Sequence, residues 1–261
     1  MNLGEYYSKS IIRKFDLVPV YYPGTEVVPG DIISFGTTIF DKAKKPFGSF
    51  SIIGNIMKSS TYNFPLETKD DQQHKTYNFV SEKEVSISAA VKADVPTVVD
   101  GDIKFTFGKK GSILFYGIKG KETRIKDLFA LEDYLKTVSE QRDWNDYYVV
   151  TSVIVCEKAL VFQSEDNDGS LIVSGLAKDI SIGGSEISNI GVEANLSVKW
   201  KNKHSFSIDW TDNITVFMKL AQFTGKQVVT YEKASLGTKS QIQENKLVEV
   251  SPSRLLDNED E

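Results

Sequence analysis

Residues able to serve as nucleophile, base or metal ligand are few in this chain of 261 residues, and they do not gather. His74 lies within "ETKDDQQHK" and His204 within "KNKHS", each among polar or charged neighbours. Cys156, the single cysteine, sits in the apolar run "VVTSVIVCEKALVF". A reactive thiol needs a base or a positive charge nearby to hold it as thiolate, so Cys156 reads as a small buried hydrophobe. Neither histidine stands at a spacing typical of a Cys–His pair. No set of His, Cys and carboxylates has metal-ligand spacing. "GKKG" at 108–111 lacks the further glycines and the Ser or Thr of a phosphate loop, and reads as a turn. Glu82, Lys83 and Glu84 alternate in sign, as a solvated face does. The expectation is a protein that is not an enzyme, with no catalytic residues, cofactor or metal.

Composition narrows the class further. Hydrophobic residues at 40% and charged residues at 26% are ordinary for a globular chain, and 15 Phe with 11 Tyr lean towards strands. A net charge of −5 argues against nucleic acid as the partner. One cysteine rules out an internal disulfide framework and fits a reducing compartment. "MNLGEYYSKSIIRKF" has no continuous apolar core of a signal peptide, and no run of about 18 apolar residues offers a membrane helix. The chain is expected to fold soluble, and any membrane role would use strands or a surface helix.

The elements that must carry such a role follow from periodicity. Leu3, Tyr7, Ile11 and Phe15 mark a short amphipathic helix over 3–15. "DLVPVYYPGTEVVPGDIISFG" gives short strands broken by Pro-Gly turns at 23–24 and 29–30. "ETKDDQQHK" reads as an exposed loop. The clearest helix falls at 126–144, where Asp127 can cap and Leu128, Leu131, Leu135 and Val138 form a stripe. "DYYVVTSVIVCEKALVF" is a long central strand ended by "SEDNDG". Beyond Gly225 the chain turns polar, with apolar anchors Leu247, Val248, Val250, Leu255 and Leu256 and an acidic end. A partly docked tail is expected there.

Two stretches alternate on period two around polar tips, and both read as amphipathic hairpins. In the first, Val85, Ile87 and Val91 lead to Ile103, Phe105 and Phe107 on one parity, and "GKKG" turns the chain into "SILFYGI". In the second, Val192, Leu196, Val198 and Trp200 precede the tip Lys201-Asn202-Lys203-His204, after which Phe206 and Ile208 resume the pattern. Arms 85–95 and 192–200 reach the about 9–11 residues that span hydrocarbon as a tilted strand. Lys109, Lys110, Lys201 and Lys203 at the tips suit anionic headgroups. Only a closed barrel or a helix can span lipid, so such ribbons would enter it by joining copies into a ring.

"DLFALEDYLKTV" followed by "DYYVVTSVIVCEKALVF" is similar to the helix and strand of the gasdermin pore-forming domain. "DISIGGSEISNIGVEANLSVKW…HSFSIDWTDNITVFMKLAQF" looks like that domain's second inserting hairpin and closing strand. "IIRKFDLVPV…VVPGDIISF…FGSFSIIGNI" resembles the start of the short bacterial members. The resemblance covers roughly 1–225 in element order.

The resemblance implies an α+β fold: a twisted, mostly antiparallel central sheet with flanking short helices and amphipathic hairpins. It also implies a pore-forming domain at 1–226 and an autoinhibitory tail at 227–261. A partner protease would cut the tail, at Lys239, Lys246 or Arg254 if it is specific for basic residues. The freed domain would then pass from the cytoplasm to the inner membrane, bind lipid (Arg13 and Lys14 beside the tip lysines), insert about 80–116 and 180–210, and form a ring-shaped pore that kills the cell, as in phage defence. "MNLGEYYSKS" lacks the near-terminal cysteine that many bacterial members acylate, and Lys92, Asp94 and Lys199 make the inserting arms more polar than expected. The competing expectation is a soluble β-rich binding or scaffold protein whose hairpins simply pair in a sheet.

Overall fold

The computed structural model describes residues 2–35, 47–56, 64–65, 67–81, 85–89, 103–138, 147–167, 169–174, 197–201, 204–230 and 240–257. Helix α1 (Leu3–Phe15) begins where Asn2 Oδ1 accepts the amides of Gly4 and Glu5, at 3.1 and 3.3 Å. It stops at Asp16, whose left-handed backbone (φ 53°) returns its amide to the Ile12 carbonyl at 2.8 Å. Strands β1 (Val18–Pro19), β2 (Asp31–Phe35), β3 (Phe50–Asn55), β4 (Thr68–Asp70), β5 (Lys75–Val80) and β6 (Val85–Ala89) follow. Next come β7 (Ile103–Phe107), β8 (Ile113–Ile125), helix α2 (Leu128–Val138), β9 (Tyr148–Ser164) and β10 (Gly169–Ser174). The chain closes with β11 (Ser197–Lys201), β12 (His204–Thr230), β13 (Ser240–Glu249) and helix α3 (Pro252–Asp257).

All strand pairs among the described residues are antiparallel. The α+β architecture expected from the sequence is therefore the one observed. β5, β8, β9 and β12 lie side by side in the larger sheet, in that order. β6, β7, β10 and β11 form the smaller sheet in the matching order. Tyr7 and Ile11 of α1 pack on the larger sheet among Phe115, Ile154, Val161 and Phe217. Leu131, Leu135 and Val138 of α2 pack against Ile32, Val149 and Phe223. Asp127 caps α2 as expected, accepting the Ala130 amide at 2.9 Å, while Leu128 is 38% exposed and stands off the stripe.

Neither expected hairpin turns where the alternation placed it. Residues 197–201 pair with β10, Trp200 opposite Leu171, whereas 204–208 pair with β9, Ile208 opposite Val161. The basic stretch at 201–204 thus carries the chain from one sheet to the other. "GKKG" does the same: β7 pairs with β6 and β10, and β8 pairs with β4, β5 and β9. Polar residues and a glycine with positive φ (Gly111, 94°) serve a corner as well as a hairpin turn. Local alternation does not distinguish the two, because the partner strand is chosen by long-range burial. "ETKDDQQHK" is also more ordered than a loop, contributing β4 before an exposed turn.

Candidate functional site

Four strands of the larger sheet run on along the chain into the four of the smaller sheet, in the same lateral order, and their junction is the crease. Each strand of the smaller sheet continues its neighbour in the larger one: β5 into β6, β8 back into β7, β9 into β10, β12 back into β11. The central pair keeps its register through the fold. Phe107 faces Gly169 on one side and Ile113 faces Gln163 on the other, six residues along each strand. That same register holds from Ile103↔Val173 to Arg124↔Ser152. The outer pairs do not match residue for residue. From Val80↔Leu114 to Val85↔Phe107 is five residues against seven, and from Ser164↔His204 to Ser170↔Lys201 six against three.

Short hydrogen bonds hold the crease. The Ser164 amide donates to the Ser112 carbonyl at 2.9 Å, and the Gly111 amide to the Ser164 carbonyl at 2.8 Å. The Lys110 amide donates to Asn167 Oδ1 at 2.8 Å, and Ser112 Oγ to the Lys109 carbonyl at 2.6 Å. On the neighbouring strand the Ile113 amide donates to Ser81 Oγ at 2.9 Å. Buried Gln163 ties α1 to the fold line, its side-chain amide donating to the Leu3 carbonyl at 2.9 Å. The Phe107 and Phe162 rings meet across the crease with centroids 4.3 Å apart.

Of the residues expected to face lipid, Val85, Phe105 and Phe107 are buried within the protein. Ile87, Ile103, Val198, Trp200, Phe206 and Ile208 lie on the paired strands β6, β7, β11 and β12. Val91, Val192, Leu196, Lys203 and Lys239 fall outside the described residues. Arg13, Lys14, Lys109 and Lys110 are exposed, the first two in the last turn of α1. Lys201 ends β11 at the crease.

The C-terminal residues form a clasp. β13 pairs with Ala221–Thr230 of β12 in ten register positions, and the Val250 amide extends the ladder to the Leu220 carbonyl at 2.8 Å. The expected boundary at 226/227 falls inside β12, which runs unbroken to Thr230. Leu247 packs into the α2 cluster and Val250 into the cluster of Val18, Met218 and Leu220. Val248, expected as an anchor, is 46% exposed: strand alternation turns it away from the side that buries Leu247. Leu256 is half-buried on α3, the helix that also carries Leu255 and Arg254. Lys246 is exposed but its backbone is paired opposite Thr224.

Two side chains that the sequence did not single out complete the clasp. Glu132 of α2 accepts the Leu247 amide at 3.1 Å, and Asp16 accepts the Ser253 amide at 2.9 Å. The Lys136 salt bridge, with help from the Leu247 amide, holds the Glu132 carboxyl below its ordinary value. Asp16 follows the last apolar residue of a helix, a local signal for a cap. Glu132 carries no such signal, because its partner is 115 residues away.

The single thiol is placed as the sequence suggested. Cys156 is fully buried and burial pushes its thiol up to about 12. His74 is exposed in the turn before β5, and no cluster of metal-ligating residues occurs among the described residues. Burial alone would raise the Glu122 carboxyl. Hydrogen bonds from Ser152 at 2.7 Å and Lys219 at 2.9 Å outweigh it and hold the group below its ordinary value. This carboxylate is a pin across β8, β9 and β12.

No family model matches the chain, and no curated protein does. Among solved structures, it is similar to a bacterial gasdermin from Bradyrhizobium tropiciagri, with 13% identity, a TM-score of 0.34 and 88% of each chain covered. It is similar also to the gasdermin A3 membrane pore, with 10% identity and a TM-score of 0.31, covering 93% of this chain and 94% of the other. Each is a likeness of chain trace, and neither assigns an activity.

Proposed function

We propose that this chain is a dormant pore-forming protein whose folded ribbon straightens once the C-terminal clasp is removed. The observation that carries this reading is the unchanged register of the central pair across the crease. Opening the fold line requires neither strand of this central pair to slide on the other. Because the offset between Phe107 and Ile113 is even, straightening also keeps side chains on their faces. Ile103, Phe105, Phe107, Ile113 and Phe115 then share one side with Val161, Leu171 and Val173.

The energetics favour a switch set by restraint. Phe105, Phe107, Leu171 and Val173 are buried in the folded form, each worth about 1.5–3 kcal/mol against water. Hydrocarbon offers the same gain, so protein and lipid compete on nearly equal terms. β6, β7 and β11 have five residues each and β10 has six, short of the about 9–11 that cross a membrane. Recruiting the flanking residues within 90–102 and 175–196 supplies the rest. A ring of copies then satisfies the strand edges that would otherwise meet lipid unpaired.

On this reading a protease is the activating partner, the membrane lipids are the target, and the copies assemble with one another at the inner membrane. Cell death in defence against phage follows from the sequence resemblance to gasdermins. The test is a full-length chain carrying one engineered protease site within 231–239, cut and then diluted into dye-loaded phosphatidylglycerol vesicles. Leakage with ring-shaped oligomers supports the pore. Sealed vesicles with monomeric protein would leave the scaffold reading in its place.

A further inference from the structure

We infer that three bulges in β12 store the length this strand needs to run straight into β11 along β9 and β10. The inference rests on the pore reading above and names the movement that the outer strand makes.

Between Phe217 and His204, β12 holds three residues more than the facing part of β9: Val216, one residue within 209–210, and Ser205. From Ser164↔His204 to Ser170↔Lys201 the imbalance reverses, and the β9–β10 side is three residues longer. The two surpluses cancel. Laid out from Phe217↔Ile154 without bulges, β12 brings Trp200 opposite Leu171 and Ser197 opposite Ser174, the pairs already present in the smaller sheet.

Both ends are thus in their final register before any movement. At the inner end Glu122 fixes Lys219 opposite Ser152, accepting from Lys219 at 2.9 Å and from Ser152 at 2.7 Å. Only residues 204–216 travel, by one to three positions towards the crease. Phe206 and Ile208 move by two. An even step keeps them on the parity that Val198 and Trp200 hold opposite Val173 and Leu171.

Residues 211–215 move by one, and that step has a cost. Ile214 lies opposite Cys156 and packs, with Val216 and Phe217, in the cluster under Tyr7 and Ile11 of α1. Val216 and Phe217 are consecutive, and both enter this cluster because the bulge interrupts the alternation. The slide carries Val216 opposite Val155, which packs in the cluster on the other side of the sheet. Packing against α1 therefore holds the bulges in place, and the stored length is freed when that packing loosens.

The experiment uses the full-length chain with the engineered site in 231–239, in a Cys156→Ala background that leaves no other thiol. Lys158→Cys with Asp212→Cys bridges an ion pair whose members face each other in the folded form and part in the slide. Oxidised before cutting, this lock should lower leakage of phosphatidylglycerol vesicles at least tenfold, and dithiothreitol should restore it. Ser174→Cys with Ser197→Cys bridges a pair whose register is the same in both forms, so its leakage should match the background, oxidised or reduced. Ser164→Cys with Ser207→Cys comes into line only after the slide, and should cross-link at least tenfold more in vesicle-bound rings than in uncut protein. This last pair decides the matter if the reduced lock is itself inactive.

Equal leakage from the oxidised and reduced lock, the same block from the Ser174–Ser197 bridge, or equal cross-linking of Ser164→Cys with Ser207→Cys before and after assembly would overturn the slide and leave the pore standing. Vesicles that stay sealed with the cut background chain would overturn the pore reading and the slide with it.

Discussion

Asp16 and Ser253, 237 residues apart in sequence, meet where one helix ends and another begins. The Asp16 amide closes α1 on the Ile12 carbonyl while its carboxylate accepts the Ser253 amide at the start of α3. One residue thereby stops the first helix of the chain and starts the last. The pairing ties the terminal clasp to the same α1 that covers the larger sheet.

Asp16→Gly suits the left-handed backbone (φ 53°) but removes the carboxylate, and should loosen α3 by about 1 kcal/mol, roughly fivefold in its opening equilibrium. Asp16→Asn, which keeps an acceptor oxygen and tolerates that backbone, should lose less. Hydrogen exchange at 253–257 reads the difference, and equal protection in all three proteins would show that the bond contributes nothing.

Glu132 predicts a pH response. Its folded carboxyl lies below the ordinary 4.5, chiefly through Lys136 and then the Leu247 amide. A depressed carboxylate stabilises the fold fully above 4.5, and that contribution drains away as pH falls through the folded value. The melting temperature of Glu132→Gln should therefore trail the parent at pH 7 and converge with it as pH falls below the ordinary carboxylate range. A gap that widens on acidification would contradict this assignment.

Gly117 lies against the buried thiol. A Cβ at this position would meet Cys156 Sγ at 2.7 Å, so Gly117→Ala must displace a core side chain, at about 1–3 kcal/mol. In a Cys156→Ala background the cost should shrink, giving a coupling of about 0.5–3 kcal/mol in a double-mutant cycle. The same thiol, pushed up to about 12, should resist a disulfide reagent at pH 8 until the protein unfolds.

Lys109 and Lys110 are exposed at the crease, so Lys109→Glu with Lys110→Glu should change stability by no more than about 0.5 kcal/mol. Leakage of anionic vesicles by the cut, diluted protein should fall, with the deficit largest at low salt. Unchanged leakage at low salt would remove these lysines from the membrane contact.

The elements legible in the sequence were those whose signals are local. α1 starts and ends as its apolar spacing suggests, Asp127 caps α2, and β9 occupies the longest apolar run. The crease was not legible, because a polar tip with a glycine satisfies a hairpin and a corner equally well. What separates them is which strand lies opposite Trp200 or Phe107, a choice made by residues 29 and 62 positions away. The clasp was half legible. Leu247 and Val250 could be named as apolar anchors in a polar tail, but strand parity excludes Val248, and that parity is set by the ladder with Phe223.

The matched register at the crease also constrains how such a sequence can drift. Residues 108–112 and 164–168 are five against five, bracketed by Phe107↔Gly169 and Ile113↔Gln163. Inserting one residue into either corner alone would rotate everything beyond it by half a turn of the strand, sending phenylalanines outward and lysines inward. Gains and losses of length at these two places, more than 50 residues apart in the chain, can therefore be inherited only in pairs.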